Sequence, residues 1–290
     1  MSKKILIFIL IVSVLGLAFL FFSTSVLTDG DLTGKNGSPL LEEHTPTEPE
    51  GEDDDNDEPE KSLEQPKKEK PEDLPKVSIV IDDLGNSLSQ DKKLASVEAD
   101  LTLAILPLRE NTQESLNFFK DKQEIILHLP LEPLSEEDKE INMITTDMTE
   151  EEIFEKLELA LADLNHQVEG VNNHKGSLFT SNRKTMEILL NRIKKKDLFF
   201  LDSYTIASSE AYELAKEINL KTAQRDVFLD GSKKEEDIRA RLQETIDLAK
   251  KNRAAVAIGH SRPATVDVLI EEIPKLKNQV EFVKVSEVLE

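Results

Sequence analysis

An adjacent pair of carboxylates, Asp82-Asp83, ends the apolar run Val77-Ser78-Ile79-Val80-Ile81. Three of the chain's five histidines close runs of the same kind. His128 follows Ile125-Ile126-Leu127, His174 follows Val171-Asn172-Asn173, and His260 follows Ala255-Val256-Ala257-Ile258-Gly259. Carboxylate oxygens and neutral imidazole nitrogens are good donors to a borderline divalent ion. Two acids and three imidazoles suffice to hold such an ion and leave an acid and a base for proton transfer. Each piece has an ordinary use as well: Asp-Asp-Leu-Gly-Asn is good turn chemistry, and a lone histidine after a strand is commonly structural. Their shared position is what joins them. In a parallel sheet or barrel the C-terminal ends of the strands converge on one rim, where such folds bind and react.

Adjacent strand residues point to opposite faces, so Asp82 and Asp83 are expected to do different jobs, one binding a metal and the other taking a proton. Further polar residues follow the strand-end pattern. Asp202 closes Phe199-Phe200-Leu201, and Arg225, Asp226 and Asp230 follow the next run. Each is a candidate to orient an imidazole or to bind substrate. Helix capping is an equal use for Asp202, and an internal ion pair for Arg225-Asp226. His44, in an acidic stretch, and His166, just ahead of a strand, fall outside the pattern and are expected to be dispensable.

The elements that must position these residues read as alternating strands and helices. Strands are expected at Val77–Ile81, Leu101–Leu106, Glu124–Leu127, Gln167–Val171, Leu198–Leu201, Lys221–Gln224, Ala254–Ile258 and Val280–Val285. His128 is thereby placed between a strand and a proline-stiffened loop. Amphipathic helices are expected at Glu150–Leu164, Asn182–Lys195, Ser208–Ile218, Glu235–Lys250 and Thr265–Lys275, the first with Thr149 as its N-cap. Seven or eight β–α alternations predict an α/β domain over 77–290 built on mostly parallel strands. Its length suits a compact barrel, with an open doubly wound sheet as the other topology.

Residues Ile5 to Phe22 are almost wholly apolar and follow Lys3-Lys4. The run is long enough to cross a hydrocarbon layer of about 30 Å. The lysines should remain cytoplasmic, so residues 1–27 are expected to form a single-pass anchor in the cytoplasmic membrane, with the rest of the chain extracytoplasmic. Secretion after cleavage of a signal peptide is the alternative. Residues 28–76 are rich in Pro, Glu and Asp, notably Glu52-Asp53-Asp54-Asp55-Asn56-Asp57-Glu58, and read as a disordered acidic linker. The formal net charge of -22, without a Lys/Arg cluster, argues against nucleic acid as a partner. The absence of Cys excludes disulfides, a thiol nucleophile and Cys-type zinc sites. With no Trp and two Tyr, a long aromatic platform for sugars is not expected.

Taken in order, Ile81-Asp82-Asp83-Leu84-Gly85, Leu127-His128-Leu129-Pro130-Leu131-Glu132-Pro133, Gly170-Val171-Asn172-Asn173-His174-Lys175-Gly176-Ser177, Phe200-Leu201-Asp202-Ser203, Arg225-Asp226-Val227-Phe228-Leu229-Asp230 and Ile258-Gly259-His260 resemble the divergent polysaccharide deacetylase family. That family is distantly similar to the NodB-type carbohydrate deacetylases. The resemblance implies a distorted (β/α) barrel and a divalent metal, with Zn²⁺ the expected ion. It implies a cell-envelope glycan as substrate and hydrolysis of an acetamide C–N bond. It also implies Asp82 as general base, Asp83 as metal ligand and His260 as general acid. NodB-type enzymes draw two histidine ligands from one His-x-x-x-His motif. This chain has none, and His128 and His174, from separate strands, stand in their place. The missing motif and the scarcity of aromatics leave room for a non-catalytic module that binds envelope glycan or protein through the same cleft. An enzyme acting on a different bond is a further alternative.

Overall fold

The computed structural model describes residues 74–290. The expected anchor and all but the last three residues of the expected linker lie outside the described residues. Nine strands form one sheet: β1 (Lys76–Leu84), β2 (Thr102–Ile105), β3 (Glu124–Leu131), β4 (Gly170–Lys175), β5 (Phe199–Asp202), β6 (Thr222–Gln224), β7 (Val227–Phe228), β8 (Ala254–His260) and β9 (Glu281–Val283). Seven helices connect them: α1 (Leu88–Lys93), α2 (Thr112–Phe119), α3 (Glu150–Asp163), α4 (Arg183–Lys195), α5 (Ala211–Glu217), α6 (Glu235–Asn252) and α7 (Pro263–Leu276). Every strand pair is parallel, and the order is β6-β5-β4-β3-β2-β1-β8-β7. β9 lies beside the first residues of β1, on the flank that β2 takes further along.

The two outermost strands, β6 and β7, are separated by Arg225 and Asp226 alone. The Arg225 N–H donates to the Asp202 carbonyl at 3.0 Å and the Asp226 N–H to the Val256 carbonyl at 2.9 Å. Two residues thus carry the chain from one edge of the sheet to the other, and the sheet curls into a distorted, barrel-like form. This crossing also explains a ninth strand where seven or eight were expected: the run after Lys221 divides between two edges.

Period-two alternation sorts the strand residues into two cores. Ile79, Ile81, Leu103, Ile125, Leu127, Val171, Phe200, Ala255 and Ala257 pack with helix residues such as Leu116, Leu157, Leu189, Leu242 and Leu269. Val80, Ala104, Ile126, Phe199, Leu201, Val256 and Ile258 form a smaller cluster on the other face, inside the curl. Two residues beyond these inner positions lie Asp82, His128 and His260, and His174 follows Asn172 on β4 in the same way. The rim is therefore furnished by the inner face of each strand.

Several boundaries differ from those expected. β3 runs on through Pro130 to Leu131 instead of ending in a loop. Beyond Leu127 it no longer pairs with β2, so the missing proline N–H disturbs no ladder there, and the Pro130 carbonyl accepts the Ile144 N–H at 2.9 Å. β4 begins three residues late and includes Asn172, Asn173 and His174, whose polarity hides a strand that hydrogen-bonds its side chains. Two short helices, α1 and α2, were not anticipated. Thr149 does cap α3: its hydroxyl accepts the Glu152 N–H at 3.3 Å, and Glu152 accepts the Thr149 N–H at 2.8 Å.

Candidate metal centre

The β1–β2 register shifts between Ile81 and Leu84, and Asp83 sits at φ 65°. Aspartate is among the few residues that tolerate this left-handed conformation, and a bulge of this kind breaks side-chain alternation. Asp82 and Asp83 were expected to face opposite sides. The bulge instead brings both to one mouth, with Asp82 Oδ2 3.7 Å and Asp83 Oδ1 3.4 Å from His128 Nε2. Their environments still differ. Asp82 is buried, whereas Asp83 keeps 27% of its side chain exposed.

His174 completes the cluster. Its Nδ1 lies 3.1 Å from Asp83 Oδ1 and 3.1 Å from His128 Nε2. One donor atom from each of Asp83, His128 and His174 falls within 4.8 Å of the others. The outer nitrogen of each ring is occupied. His128 Nδ1 is 2.8 Å from Asn172 Oδ1, and His174 Nε2 is 3.3 Å from Glu140 Oε1. Both partners are acceptors, because the amide nitrogen of Asn172 already donates to Asp82 Oδ1 at 2.8 Å and to Ser203 Oγ at 3.1 Å. Each ring therefore donates outward and turns a lone pair inward. Asp83 Oδ1 is buried without a hydrogen-bond partner. Buried orphan oxygens are costly, and two inward lone pairs beside one make a seat for positive charge. Protons compete with a cation for the same seat. Burial would raise the Asp83 pKa, yet the two imidazoles hold it well below the usual carboxylate range. Burial would lower that of His128, yet Asp82 and Asp83 push it up. One carboxylate and two imidazoles, the carboxylate part-exposed, is a donor set that fits a catalytic divalent ion.

The other two expected actors flank this seat. Burial pushes the Asp82 carboxyl up, against the opposing pull of His128, His260 and the Asn172 amide. β8 lies beside β1 with His260 in register with Asp82. The His260 ring turns Nε2 toward the site, 3.8 Å from Asp83 Oδ2, while Nδ1 is bonded to Asp230 Oδ1 at 2.8 Å. Asp230 is buried and also accepts from the His260 backbone N–H at 2.9 Å and from Thr265 Oγ1 at 2.8 Å. Burial would raise the Asp230 pKa, but the His260 and Thr265 bonds keep it low.

The structure does not bring every candidate to the cluster. Asp202 has the outward parity of Phe200. It accepts the Tyr204 N–H at 2.8 Å and the Ser209 hydroxyl at 2.7 Å, and so fixes the turn before α5. Asp226 Oδ2 accepts the Val256 N–H at 2.8 Å on the seam of the sheet. Arg225 donates to the carbonyls of Ser203 and Tyr204 at 2.7 and 2.6 Å and stacks 5.0 Å from the Phe228 ring, bracing the loop after β5. Asp230 alone of these four touches a rim imidazole. His166 is exposed in the turn ahead of β4, at the opposite end of the strands, and His44 lies outside the described residues. Three neighbours of the site went unread in the sequence. Asn172 shares the inner face with His174, two residues on, and that spacing was the available signal. Phe228 is part-exposed with its ring 5.5 Å from that of His260. Glu140 arrives from a long irregular loop, where no periodicity points to it.

The family model for divergent polysaccharide deacetylases matches residues 79–289. The uncharacterized protein YibQ of Escherichia coli is 35% identical over 215 residues, which cover 74% of this chain and 67% of that one. An uncharacterized protein of Haemophilus influenzae is 32% identical over 212 residues, 72% of this chain and 74% of its own. Among solved structures, the uncharacterized protein ATU2773 of Agrobacterium tumefaciens has the same fold, with a TM-score of 0.70 at 22% identity over 76% of this chain and 91% of that one.

Proposed function

The chain belongs to the divergent polysaccharide deacetylase family, and from that membership we propose that it is a metal-dependent hydrolase removing acetyl groups from an N-acetylated cell-envelope glycan. The observation that carries this reading is the convergence of Asp83 Oδ1, His128 Nε2 and His174 Nδ1, with the carboxylate oxygen buried and partnerless. These three residues would hold the ion, Zn²⁺ by the character of the donors. When bound there it supplies Lewis acidity to a carbonyl oxygen and a lowered pKa to water.

The remaining chemistry belongs to side chains. Asp82, with its pKa raised by burial, takes the proton of the attacking water; a base tuned upward toward working pH is the more effective one. Asn172 anchors one Asp82 oxygen, leaving Oδ2 turned toward the site. As the C–N bond breaks, His260 gives the proton on Nε2 to the departing amine. Asp230, bonded to Nδ1, holds the ring in register and balances its charge. The products are acetate and a free amino sugar. Arrival of the chain at envelope glycans is supported by the sequence alone. Lys3-Lys4 ahead of Ile5–Phe22 favours a membrane tether over 1–27, and residues 28–76 an acidic spacer that lets the domain at 77–290 reach its polymer.

Metal analysis and acetate assays on the purified full-length chain test the proposal. About one ion per chain is expected for the parent, and none for His174→Ala. A His174→Ala protein with stoichiometric ion refutes the ligand set. Acetate should appear from at least one member of a panel of N-acetylated glycans. An ion-loaded chain that binds these glycans and releases none would reassign the cleft to recognition without turnover.

A further inference from the structure

We propose that Glu140 is a positioning residue for the cation seat: it fixes His174 as the Nε2–H tautomer, so that Nδ1 is the nitrogen presented to the ion. The inference rests on the metal reading above and deepens it, because it says how one ligand is set.

The two imidazoles of the seat are restrained unequally. His128 lies in the middle of its strand, buried, with Nδ1 held by Asn172 on the neighbouring strand. His174 is the penultimate residue of β4, and the chain leaves the strand at once through Lys175 at φ 55° and Gly176 at φ 83°. Its side chain keeps 12% of its surface exposed, against 2% for His128. The group that touches its outer nitrogen is Glu140 Oε1, at 3.3 Å.

Glu140 is itself held in place. Lys175 Nζ lies 2.7 Å from the same Oε1, and Arg109 donates to Oε2. With an ammonium on one oxygen and a guanidinium on the other, the carboxylate is set as an acceptor. The loop that carries it is fastened on both sides. Lys175 Nζ also donates to the Asp138 carbonyl at 2.7 Å, and Lys139 pairs with Glu132 Oε1 at 2.9 Å. A fixed acceptor on the far nitrogen selects the tautomer, orients the ring and raises the basicity of the ligating nitrogen. Without it, the His174 proton is free to sit on Nδ1 and point into the seat, where it excludes a cation.

Two measurements on the full-length chain test this, with Glu140→Ala and Glu140→Gln beside the parent. In the ion-free protein, ¹⁵N spectra of labelled histidines should show His174 as Nε2–H in the parent and as a tautomer mixture in Glu140→Ala. Zn²⁺ affinity, read by competition with a chromogenic chelator, should fall by about 10–100-fold in Glu140→Ala. Glu140→Gln keeps an acceptor oxygen of the same reach and should lie between the two. It also guards against a loop that merely loses its fold. A parent that binds Zn²⁺ with a Glu140→Ala variant matching it within about twofold overturns the inference and leaves the ligand set standing. A parent that takes up no Zn²⁺ removes the metal reading and the inference together.

Discussion

Asp230→Asn is the substitution that most sharply separates chemistry from scaffolding. Asp230 accepts three hydrogen bonds at 2.8–2.9 Å: two from His260, through Nδ1 and the backbone N–H, and one from Thr265. Asparagine matches the shape but has one acceptor oxygen. Placed at the Oδ2 position, that oxygen keeps the backbone and Thr265 bonds, and the amide NH₂ then faces His260 Nδ1. The ring must give up its Nδ1 proton to accept that donor. The fold keeps two of three bonds, so stability should fall by only about 1–2 kcal/mol, the scale of one net hydrogen bond. Activity should fall much further. A positioned general acid contributes about 10²–10⁴-fold, or roughly 3–5 kcal/mol in the barrier, and the exchange turns a donor toward the Nδ1 that the carboxylate held as N–H. The assay is kcat for acetate release, with a thermal melt to track folding, repeated in a His260→Ala background. If Asp230 acts through His260, the asparagine should change kcat little once the imidazole is gone, a strongly non-additive pair. Equal losses in the two backgrounds, or Asp230→Asn activity within a factor of about three of the parent, would refute the reasoning.

Three further outcomes are expected. Gly176→Ala should destabilise the protein by about 1–3 kcal/mol in denaturant melts, since φ is +83° and a Cβ there would meet Leu131 Cβ at 2.8 Å. Burial would raise the pKa of Glu132, but bonds from Thr146 and the Lys139 ammonium depress it below 4.5. A depressed carboxylate stabilises the fold above its unfolded pKa and loses that contribution as pH falls through the folded value. Melts from pH 6 down to pH 3 should therefore show a shallower decline for Glu132→Gln than for the parent, roughly within the window set by an ordinary Glu pKa. Zn²⁺ at about a hundred times its Kd should raise the unfolding free energy by about 2.7 kcal/mol, and a chelator should reverse it. The Asp83→Ala chain should show no such response.

The strand-end histidines and the Asp doublet were legible because parallel topology gathers C-terminal ends whatever the strand order. Asp82, His128, His174 and His260 needed only that rule to be placed together. Asp202 shows where it stops. Phe199-Phe200-Leu201 is buried on both faces, so the run carries no alternation to say which way its last residue points, and a place at the site and a cap of the next helix stood level for Asp202. The bulge at Asp83 was hidden for another reason. A left-handed φ at aspartate leaves no mark in a sequence, and without it the doublet would straddle the sheet. Glu140 reaches His174 across 34 positions, a contact that exists only after β3, the loop and β4 are assembled. The short β7 escaped for want of length, although the residues that border it, Arg225-Asp226 and Asp230, were all singled out.

The seam between β6 and β7 has a mechanical consequence. Asp83, His128 and His174 stand on the inner strands β1, β3 and β4, whereas Asp230 follows the two-residue strand at the sheet's margin. Loosening at that margin would draw the carboxylate from His260 and leave the cation seat undisturbed. In the proposed mechanism the cation's ligands thus stand on inner strands and the partner of the proton donor at the edge, and amide exchange at Val227 and Phe228 should outpace that at Asn172 and His174 by a wide margin.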